Sequence, residues 1–195
     1  MARTALIDRK TSETDVHVEV NLDGEGEYDI DTPLKFLDHM LESLSRHSGF
    51  DLTVKAVGDV EVDDHHVVED MGIVFGEALN KALGDKKGIA RIAHSIVPMD
   101  DARAEVSIDL SGRPYSVIDL PFSEFTEKRV GDVTKENIEH FLESMALNGR
   151  FNLNIKVEGR NDHHKVEAAF KALAKSLKEA VTIIGEKVPS TKGSL

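Results

Sequence analysis

Apolar and polar residues alternate strictly in two stretches of the chain. Val16, Val18 and Val20 interleave with Asp15, His17 and Glu19, and later Ala104, Val106 and Ile108 interleave with Arg103, Glu105 and Ser107. A period of two marks a strand with one face against a core. Helical periods follow. After Thr32-Pro33, read as a cap and a first-turn proline, Phe36, Leu37, Met40, Leu41 and Leu44 form an apolar stripe. A second helix is predicted from Asp64 to Gly84 on the stripe Val68, Met71, Gly72, Phe75, Leu79 and Ala82. Its counterpart from Asp162 uses Val166, Phe170, Leu173, Leu177 and Val181.

The resemblance between these stretches is a tandem duplication. His39-Met40-Leu41-Glu42-Ser43 aligns with His140-Phe141-Leu142-Glu143-Ser144, and Phe50-Asp51-Leu52-Thr53-Val54-Lys55 with Phe151-Asn152-Leu153-Asn154-Ile155-Lys156. Each unit reads strand, strand, helix, strand, helix, and the halves divide at 1–86 and 87–195. Strongly amphipathic helices should lie in pairs on one face of a small sheet, so the expected fold is α+β, a two-layer unit doubled.

The same alignment superposes Asp64-His65-His66-Val67-Val68-Glu69 on Asp162-His163-His164-Lys165-Val166-Glu167. On a helix, residues four apart lie one turn above each other, so His65 and Glu69 can chelate one ion. His66 diverges from His65 by roughly 100° and is placed to reach a different ion. His39 and His140 sit on the polar sides of their helices and can join. Six histidines and two glutamates, three and one per ion, would leave positions open for substrate. A changing apolar stripe beside unchanged polar positions marks those positions as used. His17 and His94 read instead as plain sheet-surface histidines.

Composition narrows the chemistry. With no cysteine, any metal is held by nitrogen and oxygen, and disulfides are excluded. A net charge of −12 argues against a nucleic-acid backbone as partner. No long apolar run and no basic-then-apolar leader is present, so neither a membrane span nor a secretory signal is expected, and the cytoplasm is the default location. At 195 residues and 40% apolar content the chain can bury a core.

Taken together, these residues resemble the imidazoleglycerol-phosphate dehydratase family of histidine biosynthesis. The resemblance rests on Arg9-Lys10-Thr11-Ser12-Glu13-Thr14, Phe36-Leu37-Asp38-His39-Met40, both His-His-x-x-Glu phrases, Ser111-Gly112-Arg113-Pro114 and Pro189-Ser190-Thr191-Lys192-Gly193. With no phosphatase domain before these motifs, the single-function form is expected. The resemblance implies a duplicated unit of the ribosomal-protein-S5-domain-2 type. It also implies the dehydration of D-erythro-imidazole-glycerol phosphate to imidazole-acetol phosphate through a metal-bound imidazolate, with two Mn2+ per active site. Carried over by position, the metal ligands would be His39, His65, His66, Glu69, His140, His163, His164 and Glu167. Glu13 would be the acid/base at the substrate. Arg91, Arg113, Ser190 and Lys192 would hold the phosphate, with His47 and Lys171 also on the substrate side. The family forms a 24-subunit homo-oligomer with sites at subunit interfaces. One position departs from the pattern: Ser43 stands where the family commonly has Gln, so a polar contact to substrate is in question.

Two other function classes fit the histidines alone. A metal-buffering or metal-sensing protein needs the ligands but not Glu13, Arg91, Arg113 and Lys192. A binuclear metal hydrolase fits the ligand set but usually carries a bridging carboxylate.

Overall fold

A computed structural model describes residues 3–123 and 126–193. The first half contains β1 (Thr4–Lys10), β2 (Thr14–Asn21), β3 (Tyr28–Asp31), α1 (Lys35–Ser48), β4 (Asp51–Gly58) and α2 (His65–Leu83). In the second half β5 (Ile92–Met99), β6 (Ala102–Asp109), β7 (Tyr115–Asp119), the short pair β8 (Arg129–Val130) and β9 (Val133–Thr134), α3 (Lys135–Gly149), β10 (Asn152–Glu158) and α4 (Asp162–Ala180) follow in order. The fold is α+β and doubled, as expected.

The sheets repeat one topology. Their orders are β1-β2-β4-β3 and β5-β6-β10-β7, each with three antiparallel strands and a fourth edge strand parallel to its neighbour. The predicted alternation holds: Val16, Val18 and Val20 are buried, as are Ala104, Val106 and Ile108. The edge strands β3 and β7 were not predicted, so each four-stranded sheet has one strand more than the sequence pattern suggests, and the short β8–β9 pair is a further addition in the second half. In Tyr28–Asp31 only Ile30 is even half-buried, which leaves no apolar alternation to read; pairing with β4 supplies the order instead.

Helices α2 and α4 lie on their sheets at β1–β2 and β5–β6, while α2 packs on α3 and α1 on α4. The closest helix contacts therefore join opposite halves, and one buried cluster runs from Ala5 to Val181. Gly72 and Gly76 make the α2–α3 approach possible: a Cβ would fall 2.7 Å from Phe141 O at the first and 2.4 Å from Met145 O at the second.

The helix starts correct one reading and extend another. Helix α1 begins at Lys35 with Leu34 at the N-cap, so Thr32-Pro33 lies outside it. The buried Thr32 hydroxyl instead donates to Asp38 at 2.6 Å. Asp132, from the other half, accepts from the Lys35 and Phe36 amides at 2.6 and 2.9 Å, satisfying two donors left open at the helix start. Asp64 does stand at the start of α2 but makes no side-chain cap there. Its carboxylate accepts from the Thr134 amide at 2.7 Å and the Thr134 hydroxyl at 2.6 Å, at the start of α3. At α4 the N-cap is Asn161, which accepts from the His163 and His164 amides.

Candidate metal centre

The crossed helix packing gathers the sequence-predicted ligands into two groups of three. His65 and Glu69 of α2 meet His140 of α3, and His163 and Glu167 of α4 meet His39 of α1; within each group the donor atoms lie within 4.8 Å of one another. Each group thus draws on both repeats, a combination that sequence spacing allowed but did not fix.

In the first group, Glu69 Oε2 lies 3.7 Å from His65 Nε2 and Glu69 Oε1 lies 3.3 Å from His140 Nε2. The two imidazole rings stack at 4.9 Å. His140 Nε2 is buried and, despite its distance from Glu69, makes no hydrogen bond. A buried ring nitrogen without a hydrogen-bond partner is costly unless its lone pair serves another acceptor such as a cation. In the second group His163 Nε2 lies 3.3 Å from Glu167 Oε2, while Lys171 Nζ takes the other carboxylate oxygen at 2.7 Å. Burial pushes the Glu167 carboxyl up, but Lys171, His39 and His163 outweigh it and hold the group below the usual range. Glu167 therefore stays ionised. Imidazole nitrogens with one carboxylate fit a divalent Mn, Fe, Co or Zn ion.

His66 and His164 join neither group. Their rings stand edge-on to those of His65 and His163 at 6.1 and 6.0 Å, which carries them to another side of the helix. His66 Nδ1 lies 3.1 Å from Asp59 Oδ2, and His164 Nδ1 lies 2.6 Å from Asp101 Oδ1. A carboxylate at Nδ1 leaves Nε2 as the donor to a metal; at His164 that nitrogen lies 3.4 Å from Asp100 Oδ2. Asp59 raises the His66 pKa against the opposing pull of burial, with Glu13 and Asp63 adding to the rise. Glu13 itself is exposed in the β1–β2 turn, its amide donating to Thr11 Oγ1 at 3.1 Å. Thr14 and Arg9 both bond Asp70 of α2, the latter at 2.8 Å, so this turn is tied to the helix that carries His66. No periodicity signals Asp59, Asp101 or Asn137, a further partner at 3.1 Å from His65 Nδ1; only their position in the fold reveals them.

The remaining candidates fall in two places. His47 and Lys171 line a cavity of about 260 Å³ together with Ser43, His39 and Glu167. Ser43 Oγ is buried there without a partner. Burial and then Lys171 and Lys175 lower the His47 pKa, with Glu167 opposing them, so its ring is neutral near pH 7. Arg91 binds Asp109 through two nitrogens at 2.7 and 3.0 Å and donates to Pro189 O at 2.7 Å. That last bond draws the segment bearing Ser190 and Lys192 toward Arg91. Arg113 is exposed after β6, and its carbonyl accepts from Asn152. His17, read as plain surface, has its Nδ1 2.6 Å from Asp8 across the β1–β2 pair; His94 is exposed on β5.

Known proteins are similar to this chain over nearly its whole length. Residues 32–177 match the family model for imidazoleglycerol-phosphate dehydratase. An imidazoleglycerol-phosphate dehydratase from Methanothermobacter thermautotrophicus is 54% identical over 193 residues, covering 99% of this chain and 98% of that protein. Among solved structures, IGPD from Pyrococcus furiosus in complex with (S)-C348 has a TM-score of 0.83 at 36% identity, covering 97% of this chain and 100% of that one. Imidazoleglycerol-phosphate dehydratase from Staphylococcus aureus has a TM-score of 0.81 at 34% identity, covering 92% and 99%. The chain therefore belongs to the imidazoleglycerol-phosphate dehydratase family and is an enzyme of histidine biosynthesis, a lyase.

Proposed function

We propose that this enzyme converts D-erythro-imidazole-glycerol phosphate to imidazole-acetol phosphate with two Mn2+ ions, one at each His-His-Glu group. The convergence of His65, Glu69 and His140, and of His39, His163 and Glu167, supports this most directly. His66 and His164 point away from both groups, so each would complete a centre in a neighbouring copy, giving three histidines and one glutamate per ion. That arrangement fits a homo-oligomer of 24 subunits with its active sites between copies.

Bound divalent cations would polarise the substrate imidazole and acidify its ring N–H. The protein's own groups supply the rest. Glu13, in the turn tied to the helix that carries His66, takes the carbon-bound proton whose removal accompanies loss of the hydroxyl. His47 and Lys171 flank the substrate at the second group. Arg91, Arg113, Ser190 and Lys192 hold the phosphate; Arg91 would exchange its bonds to Asp109 and Pro189 for the phosphate oxygens. A storage or sensing role would leave these cationic groups unused. No helix of the described residues is long and apolar enough to cross a membrane.

The test is consumption of imidazole-glycerol phosphate by metal-stripped protein before and after Mn2+ is restored. Turnover that appears only with the metal is expected. Tight Mn2+ binding without turnover would overturn the proposal.

A further inference from the structure

The duplication makes the two groups look equivalent, yet their surroundings differ at three points. His65 Nδ1 lies 3.1 Å from Asn137 Oδ1. A carbonyl oxygen only accepts, so Nδ1 carries the proton and Nε2 keeps its lone pair for the group's centre. Asn137 also helps to lower the pKa of the buried Asp64 carboxylate, which only accepts, so the Asn137 NH2 belongs on the Asp64 side and its carbonyl on the His65 side. Asn137 stands three residues before His140; the residue three before His39 is Phe36. At the second group that ring packs on His163 at 5.2 Å and tilted by 59°. Among the described residues, none hydrogen-bonds His163 Nδ1.

The carboxylates differ as well. Both oxygens of Glu69 face imidazoles, at 3.7 and 3.3 Å. Glu167 gives one oxygen to Lys171 at 2.7 Å, leaving the other for His163. A cation entering the second group meets a carboxylate already half-neutralised and an imidazole free to adopt either tautomer.

We infer that the two metal centres are unequal, with His65, Glu69 and His140 taking the first divalent cation and Asn137, backed by Asp64, acting as the positioning residue that sets the preference. This rests on the two-ion reading above. Hydrogen-bond partners behind a ligand typically change metal affinity by about 10–100-fold, because they fix the ring's orientation and raise its basicity. One histidine from a neighbouring copy would be added to each centre, each with a carboxylate at its Nδ1, while the differences at Asn137 and Lys171 lie within the chain's own groups.

Titration of the metal-stripped protein with Mn2+, followed by the electron paramagnetic resonance of the free ion, reads the sites directly. Two equally abundant classes are expected, separated by about 10-fold or more. Asn137→Leu should weaken the tight class by a comparable factor and leave the weak class unchanged. Lys171→Met should tighten the weak class alone. If Asn137→Leu does not fold, Lys171→Met decides by itself. A single class in the parent protein, equal weakening of both classes in Asn137→Leu, or an unmoved weak class in Lys171→Met would overturn the inference. Substrate turnover by the same preparations separates the outcomes: equal sites with normal turnover remove only the inequality, whereas unequal sites without turnover remove the proposed reaction.

Discussion

Asp64 of one repeat fixes Thr134 of the other, its carboxylate accepting from that residue's amide at 2.7 Å and hydroxyl at 2.6 Å. The aspartate that opens the His-His-x-x-Glu phrase is thus a clasp between α2 and α3 and no metal donor. It brings the His65–Glu69 turn of α2 against the first turns of α3, where His140 stands. Asp64→Ala removes charge-assisted bonds from a residue 1% exposed, and a loss of about 2–3 kcal/mol is expected. Denaturant unfolding of metal-free protein measures it.

The same clasp sets an acid limit. Burial pushes the Asp64 carboxyl up, but the Thr134 hydroxyl and amide and Asn137 outweigh it and hold the carboxyl below its ordinary 3.8. A depressed folded value means the group stabilises the fold above the unfolded value and loses that contribution as pH falls through the folded one. The dependence therefore lies below about pH 4. Asp64→Asn should flatten the fall in melting temperature across that window while leaving the shape of the curve between pH 6 and 8 as in the parent protein.

Glu13→Gln should keep both metals and lose turnover by about 10²–10⁴-fold, the usual contribution of a positioned acid or base. The amide preserves shape and the Thr11 contact to the backbone, so metal content by elemental analysis should equal that of the parent protein. Full activity in the variant would remove Glu13 from the reaction.

Gly76→Ala tests whether close helix approach builds the first centre. Its Cβ would sit 2.4 Å from Met145 O and 2.7 Å from Gly149 N, both backbone atoms that cannot swing aside. The helices must part, at about 1–3 kcal/mol by the usual cost of overpacking. Thermal melting should show the loss, and Mn2+ affinity should fall at the His65–Glu69–His140 group.

Ser43 is a contrasting case, since its buried hydroxyl has no partner. Ser43→Ala removes an unsatisfied polar atom and is expected to change stability by less than about 1 kcal/mol in either direction. A melting curve checks this.

How much of this was legible in the chain follows from what each feature depends on. Val16, Val18 and Val20, and the stripes of α1, α2 and α4, are set by local periodicity and were readable. The pairing of His65 with Glu69 is likewise one helical turn. The meeting of Glu69 with His140 depends on α2 crossing to the opposite half through Gly72 and Gly76; those glycines permit a close approach but do not say which helix makes it. Asp59, Asp101 and Asn137 act on histidines 7, 63 and 72 residues away. Spacing does not encode such contacts; the folded turns and helix faces create them.

The outward histidines tie the proposed metal site to assembly. Asp59 and Asp101 occupy the Nδ1 atoms of His66 and His164, and neither ring belongs to its own chain's three-donor group, although His164 Nε2 has Asp100 at 3.4 Å. If those nitrogens complete centres in neighbouring copies, each ion joins two subunits, and removing metal should cut both activity and particle size. Light scattering of protein in Mn2+ and after chelation should show a large particle falling to smaller oligomers. Replacing His66 and His164 together by Asn should give the smaller species even with Mn2+ present, because both three-donor groups remain but neither bridges. A particle of unchanged mass in that double variant would place its cohesion in protein contacts and detach the metals from assembly.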